Sequence, residues 1–128
     1  MPTFENASDS VSDTDRDDSV EPESDERLAF RAVFAAALTQ HGFPDTLVLS
    51  RERAGTVFHV RRLAIVHYLQ EHEPTSVRGL SEALGYDKGV VSRDLQKLAA
   101  LDVIEYEDRG RAKAPRLKHR HVVVEPVV

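Results

Sequence analysis

The chain has 128 residues, no cysteine and a formal net charge of −5. This length suffices for one modest hydrophobic core, and the absence of cysteine excludes disulfides and thiolate metal sites. No apolar run approaches the roughly 20 residues of a membrane span, and the acidic start does not fit a secretory signal. We therefore expect a soluble, cytoplasmic protein with one folded domain.

Charge is distributed unevenly along the chain. Residues 1–26 contain ten Asp and Glu against Arg16 alone, a balance of −9, whereas residues 27–128 contain sixteen Lys and Arg against twelve acids, a balance of +4. Residues 1–25 have almost nothing apolar to bury, so we predict a disordered acidic tail there. A solubilising leader is the favoured interpretation, and a tail that binds a partner or masks the basic domain is the alternative. The basic folded part indicates a nucleic-acid partner.

A helix and a short strand are predicted ahead of the main domain, over residues 26–56. Asp25 is the expected N-cap of an alanine-rich helix that ends at Gly42. Apolar residues cover more than one face of this helix, so the rest of the domain or a second copy of the chain must pack on it: Leu28, Phe30, Val33, Phe34 and Leu38. Residues 26–56 are therefore assigned to packing or dimerisation.

The strand and the first helix of the main domain follow. Residues 46–50 are predicted to form a strand after Pro44, and residues 51–55 a turn or the start of a helix. The next helix is predicted over Val57–Glu71, with Pro74 ending it. The domain proper is assigned to residues 57–128.

Two short apolar repeats around a Gly-Tyr-Asp break predict a helix-turn-helix. Ser76 is a good N-cap for a helix with Val77, Leu80 and Leu84 at helical spacing. Gly85 can take the left-handed conformation of a sharp turn, and Asp87 caps the next helix. In that second helix one buried stripe is expected, formed by Val91, Leu95, Leu98 and Leu101. Two helices joined by such a turn match helix-turn-helix geometry.

The polar residues of the second helix are predicted to face outward and contact DNA. They suit a major groove, because Arg bonds guanine bidentately, Gln bonds adenine, and Ser and Lys serve phosphate or base. Glycine has poor helix propensity but lets the backbone approach DNA closely. The candidate contact residues are Lys88, Gly89, Val90, Ser92, Arg93, Gln96 and Lys97. Of these, Val90 is either half-buried or in contact with a thymine methyl group.

The stretch VRGLSEALGYDKGVVSRDLQKLAALDVIE, residues 77–105, resembles the winged helix-turn-helix of MarR-like and related archaeal predicted transcriptional regulators. The resemblance falls on a Leu-x-x-x-Leu-Gly helix, a Val-Ser-Arg recognition helix and a hydrophobic strand, and extends over about residues 46–128. The sequence departs from the pattern at Ser81, where alanine is usual, and at Asp102, where glycine usually ends the recognition helix. The resemblance implies an α+β, mainly α fold, with an added N-terminal helix and a two- or three-stranded β-wing.

The wing is predicted from residues 103–126. Alternation over residues 103–106 indicates a strand, and Asp108-Arg109-Gly110 a turn. The returning strand is expected to place Arg116, Lys118 and Arg120 on one face, with Pro115 confining it to a sheet edge. The candidate phosphate-binding residues are Arg109, Arg111, Lys113 and Arg116. The alternative is that the Lys and Arg residues prevent an exposed edge strand from pairing with another chain.

No enzyme motif is present: the chain lacks a Walker loop, a dinucleotide fingerprint, a zinc-protease helix and a serine elbow. His119 and His121 lie two residues apart, but no cysteine or carboxylate stands near them in sequence, so we expect neither a metal site nor a cofactor. The predicted function is a DNA-binding transcription regulator that acts on double-stranded DNA as a homodimer. The alternatives are the DNA-binding antitoxin of a toxin–antitoxin pair, with a toxin as partner, and a winged-helix module for protein interactions.

Overall fold

Five α-helices and four short β-strands make up residues 24–128, the part of the chain that the computed structural model describes. They are α1 (Asp25–Gln40), β1 (Thr46–Leu49), α2 (Arg51–Val57), α3 (Val60–Glu71), α4 (Val77–Leu84), α5 (Lys88–Ala100), β2 (Ile104–Arg109), β3 (Ala112–Leu117) and β4 (His121–Val124). The chain divides into two units between Phe30 and Arg31, and residues 31–128 form the second, compact unit. The predicted acidic tail lies outside the described residues except for Ser24 and Asp25. Within residues 24–128, no helix has the length and apolar character needed to cross a membrane.

The ends of α1 partly match their predicted caps. Ser24, and not Asp25, caps the helix, because the backbone N–H of Arg27 donates to the Oγ atom of Ser24 at 3.2 Å. The predicted stop at Gly42 is confirmed: its φ of 95° is left-handed. The N–H of Phe43 donates to the carbonyl of Leu38 at 2.8 Å, the long bond of a Schellman motif.

A break at Phe58 and His59 corrects the predicted helix Val57–Glu71. The helical alternative for residues 51–55 is right, because α2 occupies them and ends at Val57. The chain then passes through His59 in an extended conformation, and its ring Nδ1 accepts the backbone N–H of Arg61 at 3.2 Å. A histidine side chain therefore caps α3, a role that helix periodicity does not reveal.

Two separate two-stranded sheets form the β part of the described chain. Strands β2 and β3 make an antiparallel hairpin, with Ile104 opposite Leu117 at its base. Strand β4 does not extend this wing. It pairs in parallel with β1, with Thr46 opposite His121. The wing therefore has two strands, and its continuation ties the end of the domain to the strand that precedes α2.

The hydrophobic core lies where α3, α4 and α5 meet the base of the hairpin. In α3, Ile65 and Leu69 are buried, while Leu63 and Val66 pack against the core from its edge. The cluster of buried apolar residues comprises Leu49, Val57, Ile65, Leu69, Leu80, Val91, Leu95, Leu98, Val103 and Ile104. Because three of these side chains come from α5, the core itself holds the second helix of the helix-turn-helix in place.

A buried carboxylate near the chain end joins distant parts of the second unit. Glu125 is 3 % exposed, and its Oε1 accepts from Arg31 of α1 at 3.0 Å. Its Oε2 accepts the first backbone N–H of α2, that of Arg51, at 2.9 Å. An anion at a helix N-terminus is favourable, so Glu125 stabilises α2 as well as anchoring α1.

Candidate nucleic-acid interface

The turn between α4 and α5 has the geometry that its residues predict. Ser76 caps α4, since its Oγ accepts the N–H of Gly79 at 2.9 Å. Gly85 has a φ of 73°, in the left-handed region. Asp87 caps α5 through a bond from the N–H of Val90 at 3.2 Å. The predicted caps and turn of the helix-turn-helix are confirmed.

The rotation of α5 about its own axis follows from its buried stripe. Val91, Leu95 and Leu98 are fully buried, and Leu101, just after the helix, is partly buried. Because these side chains recur at helical spacing, the opposite side of α5 must face solvent. On that side Lys88, Gly89, Arg93, Gln96 and Lys97 are exposed, while Val90 and Ser92 are half-buried.

The two departures from the resembled family pattern are both accommodated. Ser81 is buried on α4, and its hydroxyl donates to the carbonyl of Arg78 at 2.8 Å. Asp102 adopts a φ of 65°, the left-handed conformation in which glycine is usual. Its Oδ1 accepts from Lys118 Nζ at 3.0 Å, and this hydrogen bond holds the pKa of Asp102 below its ordinary value.

Glycine at position 89 leaves space for the side chains of Asp87 and Arg93. A Cβ atom at this position would lie 3.1 Å from Oδ2 of Asp87 and 3.7 Å from Nη1 of Arg93. The absence of a side chain therefore leaves room for the capping carboxylate and for the Arg93 guanidinium. Within the described residues no ion pair is formed by Arg93, which points along the exposed face of α5.

Asp94 is the residue of α5 whose role could not be predicted from the sequence. It is 2 % exposed, although it stands between Arg93 and the core residue Leu95. Arg61 donates to it through Nε at 2.8 Å and Nη2 at 3.3 Å, and Arg62 through Nε at 3.0 Å. These bonds fasten α5 to the start of α3. The paired arginines were the available signal, but nothing local in sequence joins them to Asp94.

The charge of Asp94 is stabilised in the folded state. Burial by itself raises the pKa of its carboxyl, but the hydrogen bonds from Arg61 and Arg62 outweigh that effect, so the pKa lies below the ordinary 3.8. The same hydrogen bond raises the pKa of Arg61 above its ordinary value. Asp94 is the only acid within α5. Its burial and pairing leave the outward face of that helix without an exposed carboxylate.

The wing turns one residue later than predicted. Gly110 and Arg111 are the two central residues, and Arg109 and Ala112 are the last pair of the ladder. Gly110 has a φ of 69° at the first central position, as a type II′ hairpin turn requires. A two-residue type II′ turn matches the right-handed twist of the flanking strands. This explains why the turn lies one residue later than predicted. Arg109, Arg111 and Lys113 are all exposed around this tip.

Arg116 occupies a different environment from the other wing cations. Its side chain is 16 % exposed, and it donates to the carbonyl of Pro74 at 2.7 Å while its Nε lies 3.2 Å from Glu107. Strand β3 ends at Leu117, so the predicted strand face shared with Lys118 and Arg120 is wrong. The bonds of Arg116 connect the hairpin to the segment before α4.

The hairpin is less basic than its returning strand suggests. Strand β2 carries three exposed acids, Glu105, Glu107 and Asp108, and Glu107 lies 3.6 Å from Arg109. Within the described residues, Arg111 and Lys113 form no ion pair. The free positive charge of the wing is therefore concentrated at its tip and on the start of β3.

The histidines near β4 contact residues of the segment that precedes β1. Nδ1 of His119 donates to Oδ1 of Asp45 at 2.9 Å, and the backbone N–H of Arg120 donates to Oδ2 at 3.1 Å. The bond from His119 holds the pKa of Asp45 below its ordinary value. His121 instead contacts Phe43 edge to face. Over residues 24–128, no three His, Cys, Asp or Glu side chains converge as a metal site would require.

The two capped helices, their glycine turn and the following hairpin define a winged helix-turn-helix. The chain belongs to the HVO_A0114 family, whose family model matches residues 57–124. No curated protein matches the chain in sequence.

Solved structures support the same fold. The chain is similar to the homodimeric winged helix-turn-helix DNA-binding domain Mb0332 of Mycobacterium bovis, described as a possible ArsR-family transcriptional regulator: TM-score 0.51, 20 % identity, 77 % of this chain and 76 % of that one. HlyU from Vibrio cholerae has a TM-score of 0.50 and 18 % identity over 76 % and 84 % of the two chains. A predicted DNA-binding transcriptional regulator from E. coli has a TM-score of 0.50 and 20 % identity, over 76 % of this chain and 86 % of that one. The predicted fold class is confirmed.

Proposed function

We propose that this chain is a sequence-specific, DNA-binding transcription regulator that inserts α5 into the major groove. The observation that carries the proposal is the exposed face of α5. It displays Lys88, Arg93, Gln96 and Lys97, and the one acid of the helix, Asp94, is buried against two arginines. A face that is cationic and has amide and guanidinium donors suits both phosphate and base edges. Gly89, Val90 and Ser92 complete the proposed contact surface.

The wing supplies the second part of the proposed interface. Arg109, Arg111 and Lys113 surround its tip, and cations there suit the phosphates beside the groove. A contact between Arg116 and phosphate stays a prediction, although the guanidinium has partners inside the protein. Phosphate contacts fix the position of the domain, and α5 reads the sequence.

A homodimer completes the proposal. Within the described residues, no side chain of α1 is buried, and Val33 is 66 % exposed. A helix with apolar residues on an open surface is suited to packing against a second copy. Dimers of this class read half-sites about one helical turn apart, roughly 34–36 Å. Sedimentation of the full chain, with Val33→Glu as the variant expected to be monomeric, tests the assembly.

The finer assignment follows the resemblance. We include in the proposal the relationship to MarR-like and archaeal regulators, a cytoplasmic location beside the DNA, and the absence of a catalytic step or bound cofactor. The direct test is selection of bound fragments from genomic DNA by the purified chain, followed by mobility shift on the selected fragments. An enriched motif with two spaced half-sites is expected. Failure to retain any DNA would favour a protein-interaction module instead.

Arg93→Ala is expected to weaken binding to the selected site by about 1–3 kcal/mol and to relax preference at one base position. The reason is the central position of the guanidinium on the exposed face of α5, where it forms no ion pair with any of residues 24–128. Repeating the selection with the variant measures both effects. Arg53→Ala, which removes an exposed arginine on α2, is the matched control and should keep the wild-type preference. An unchanged profile for the Arg93 variant would place this side chain outside the groove.

Arg111→Ala combined with Lys113→Ala is expected to weaken binding to all sequences alike. Phosphate contacts carry no direct sequence information, and each one lost should flatten the dependence of log affinity on log salt by about 0.9. Titrations on specific and random duplexes at several salt concentrations measure the slope. Arg53→Ala combined with Lys118→Ala removes two exposed cations elsewhere and should leave it unchanged. A wild-type slope in the wing variant would reduce the hairpin to a structural role.

A further inference from the structure

A pocket of about 320 Å³ lies between α2, α3 and the segment that runs from the end of β3 through β4. No residue of the proposed DNA interface lines it. A concavity of this size is at the lower end of the range found for small-molecule sites. The pocket is wholly within the second unit of the chain, so one protomer supplies all of its walls.

The walls of the pocket are apolar. Side chains from three directions meet in it, among them Val57 of α2, Leu63 and Val66 of α3, and Val122 of β4. Phe58 at the mouth is 62 % exposed. The exposed phenyl ring shows that no residue of 24–128 covers this part of the apolar surface.

The polar residues that line the pocket include the neutral amide of Gln70 but no acid. Its sixteen lining residues include Arg120 and three histidines, His67, His119 and His121, but no carboxylate. The neighbouring acid Asp45 directs its two oxygens to the His119 ring and to the backbone N–H of Arg120. Within the described residues, the exposed guanidinium of Arg120 forms no ion pair. The lining therefore offers the positive charge of Arg120 and three imidazole rings to a ligand.

We infer that this pocket binds a small organic anion with an apolar body, of the chemical class of medium-chain or aromatic carboxylates. The apolar walls bury the body of the ligand, and Arg120, with the histidines of the rim, binds its acid group. Apolar lining with a few convergent polar groups is the usual composition of a ligand site. The inference concerns a second surface and does not depend on DNA binding by α5.

The place of the pocket in the fold is also informative. Val103 and Leu117 belong to its lining. Leu117 belongs to the first pair of the hairpin ladder, opposite Ile104. Val103 directly precedes Ile104, and its carbonyl accepts from the N–H of Lys118 at 3.1 Å. A ligand in the pocket therefore contacts the base of the wing.

Direct binding of three probes with the same apolar body tests the inference. Decanoate, decanol and decylammonium are titrated onto the full chain by calorimetry, and their effect on backbone amide NMR signals is recorded. We expect saturable binding of decanoate, at least about tenfold weaker binding of decanol, and the weakest binding of decylammonium, because one charge-assisted contact corresponds to about tenfold in affinity. The shifted signals should lie in α3 and β4.

Two variants locate the binding. Arg120→Gln removes the rim charge and should weaken decanoate about tenfold while leaving decanol unchanged; Val66→Phe should fill the pocket and weaken both. Arg78→Gln, at an exposed position on α4, is the control, and circular dichroism checks that each variant is folded. Equal binding of all three probes, or unchanged affinity in Arg120→Gln, overturns the inference. So does a dimer that binds no probe and is dissociated by Phe58→Ser, because a second copy would then cover the pocket.

Discussion

Replacing Asp94 by alanine is expected to lower the free energy of unfolding by about 3 kcal/mol. Removing one partner of a buried ion pair costs about 3–5 kcal/mol, because the charge left behind is uncompensated. The lower end applies here, since the Arg61 side chain is 37 % exposed and water can replace one partner. Arg62, at 11 % exposure, has less access to water. Urea unfolding of both proteins measures the difference.

The control for Asp94→Ala is Lys118→Ala. It breaks the ion pair with Asp102, whose two side chains are 41 % and 59 % exposed, and exposed pairs contribute at most about 1 kcal/mol. An equal decrease in the free energy of unfolding in the two variants would show that the contacts of Asp94 with Arg61 and Arg62 stabilise the fold no more than an exposed ion pair does. If Asp94→Ala is still folded and yet binds DNA more weakly, we would attribute this to the loss of the hydrogen bonds that hold α5 against the start of α3.

The contribution of Asp94 should also depend on pH in one direction. Its folded-state pKa lies below the ordinary 3.8, so the stabilisation is complete above the unfolded-state pKa and is lost as the pH falls through the folded-state value. The stability difference between wild type and Asp94→Asn should therefore be constant near neutrality and shrink only in acid, below about pH 4. A difference that changes between pH 6 and pH 8 would contradict this assignment.

Leu95→Ala is expected to cost about 2–5 kcal/mol, through the lost transfer free energy and the cavity left behind. Leu95 is fully buried in the middle of the α5 stripe, with Val91 and Leu98 on either side. For a domain of this size each kcal/mol corresponds to roughly 4–8 °C in the melting temperature, so a fall of at least about 8 °C should be seen by circular dichroism.

Gln96→Ala is the matched control for Leu95→Ala. It changes the next residue of the same helix, which is exposed, and exposed substitutions of this kind usually stay within about 0.5 kcal/mol. The pair separates the buried side of α5 from the side proposed to bind DNA. A melting temperature of Leu95→Ala within a degree of the wild type would mean that the helix is rotated from its described position.

The helix-turn-helix was predictable because its signals are local. Ser76 and Asp87 bond backbone N–H groups three residues away, and Gly85 needs only its own left-handed φ. The apolar stripe of α5 repeats within thirteen residues. Interactions of such short range are present in the sequence pattern itself, and so the caps, the turn and the core face of α5 could be predicted together.

The wing shows where local signals become insufficient. Glycine at position 110 indicated a turn, but the position of the turn depends on which residues pair across the ladder, and Arg109 opposite Ala112 moved it by one residue. Arg116 was predicted to bind phosphate because it lies on the basic returning segment of the hairpin. The structure adds a contact that this local pattern does not contain, because Arg116 donates to the carbonyl of Pro74, which precedes α4.

The sequence alone determined a basic winged helix-turn-helix with an exposed polar face on its second helix, because caps, turns and periodicity act over a few residues. Only the tertiary structure decided that Asp94 is buried, that β4 pairs with β1, and that Arg120 and three histidines rim an apolar pocket. Each of these joins residues far apart in the chain. Their partners are chosen by the packing of whole elements, and no local pattern contains that choice.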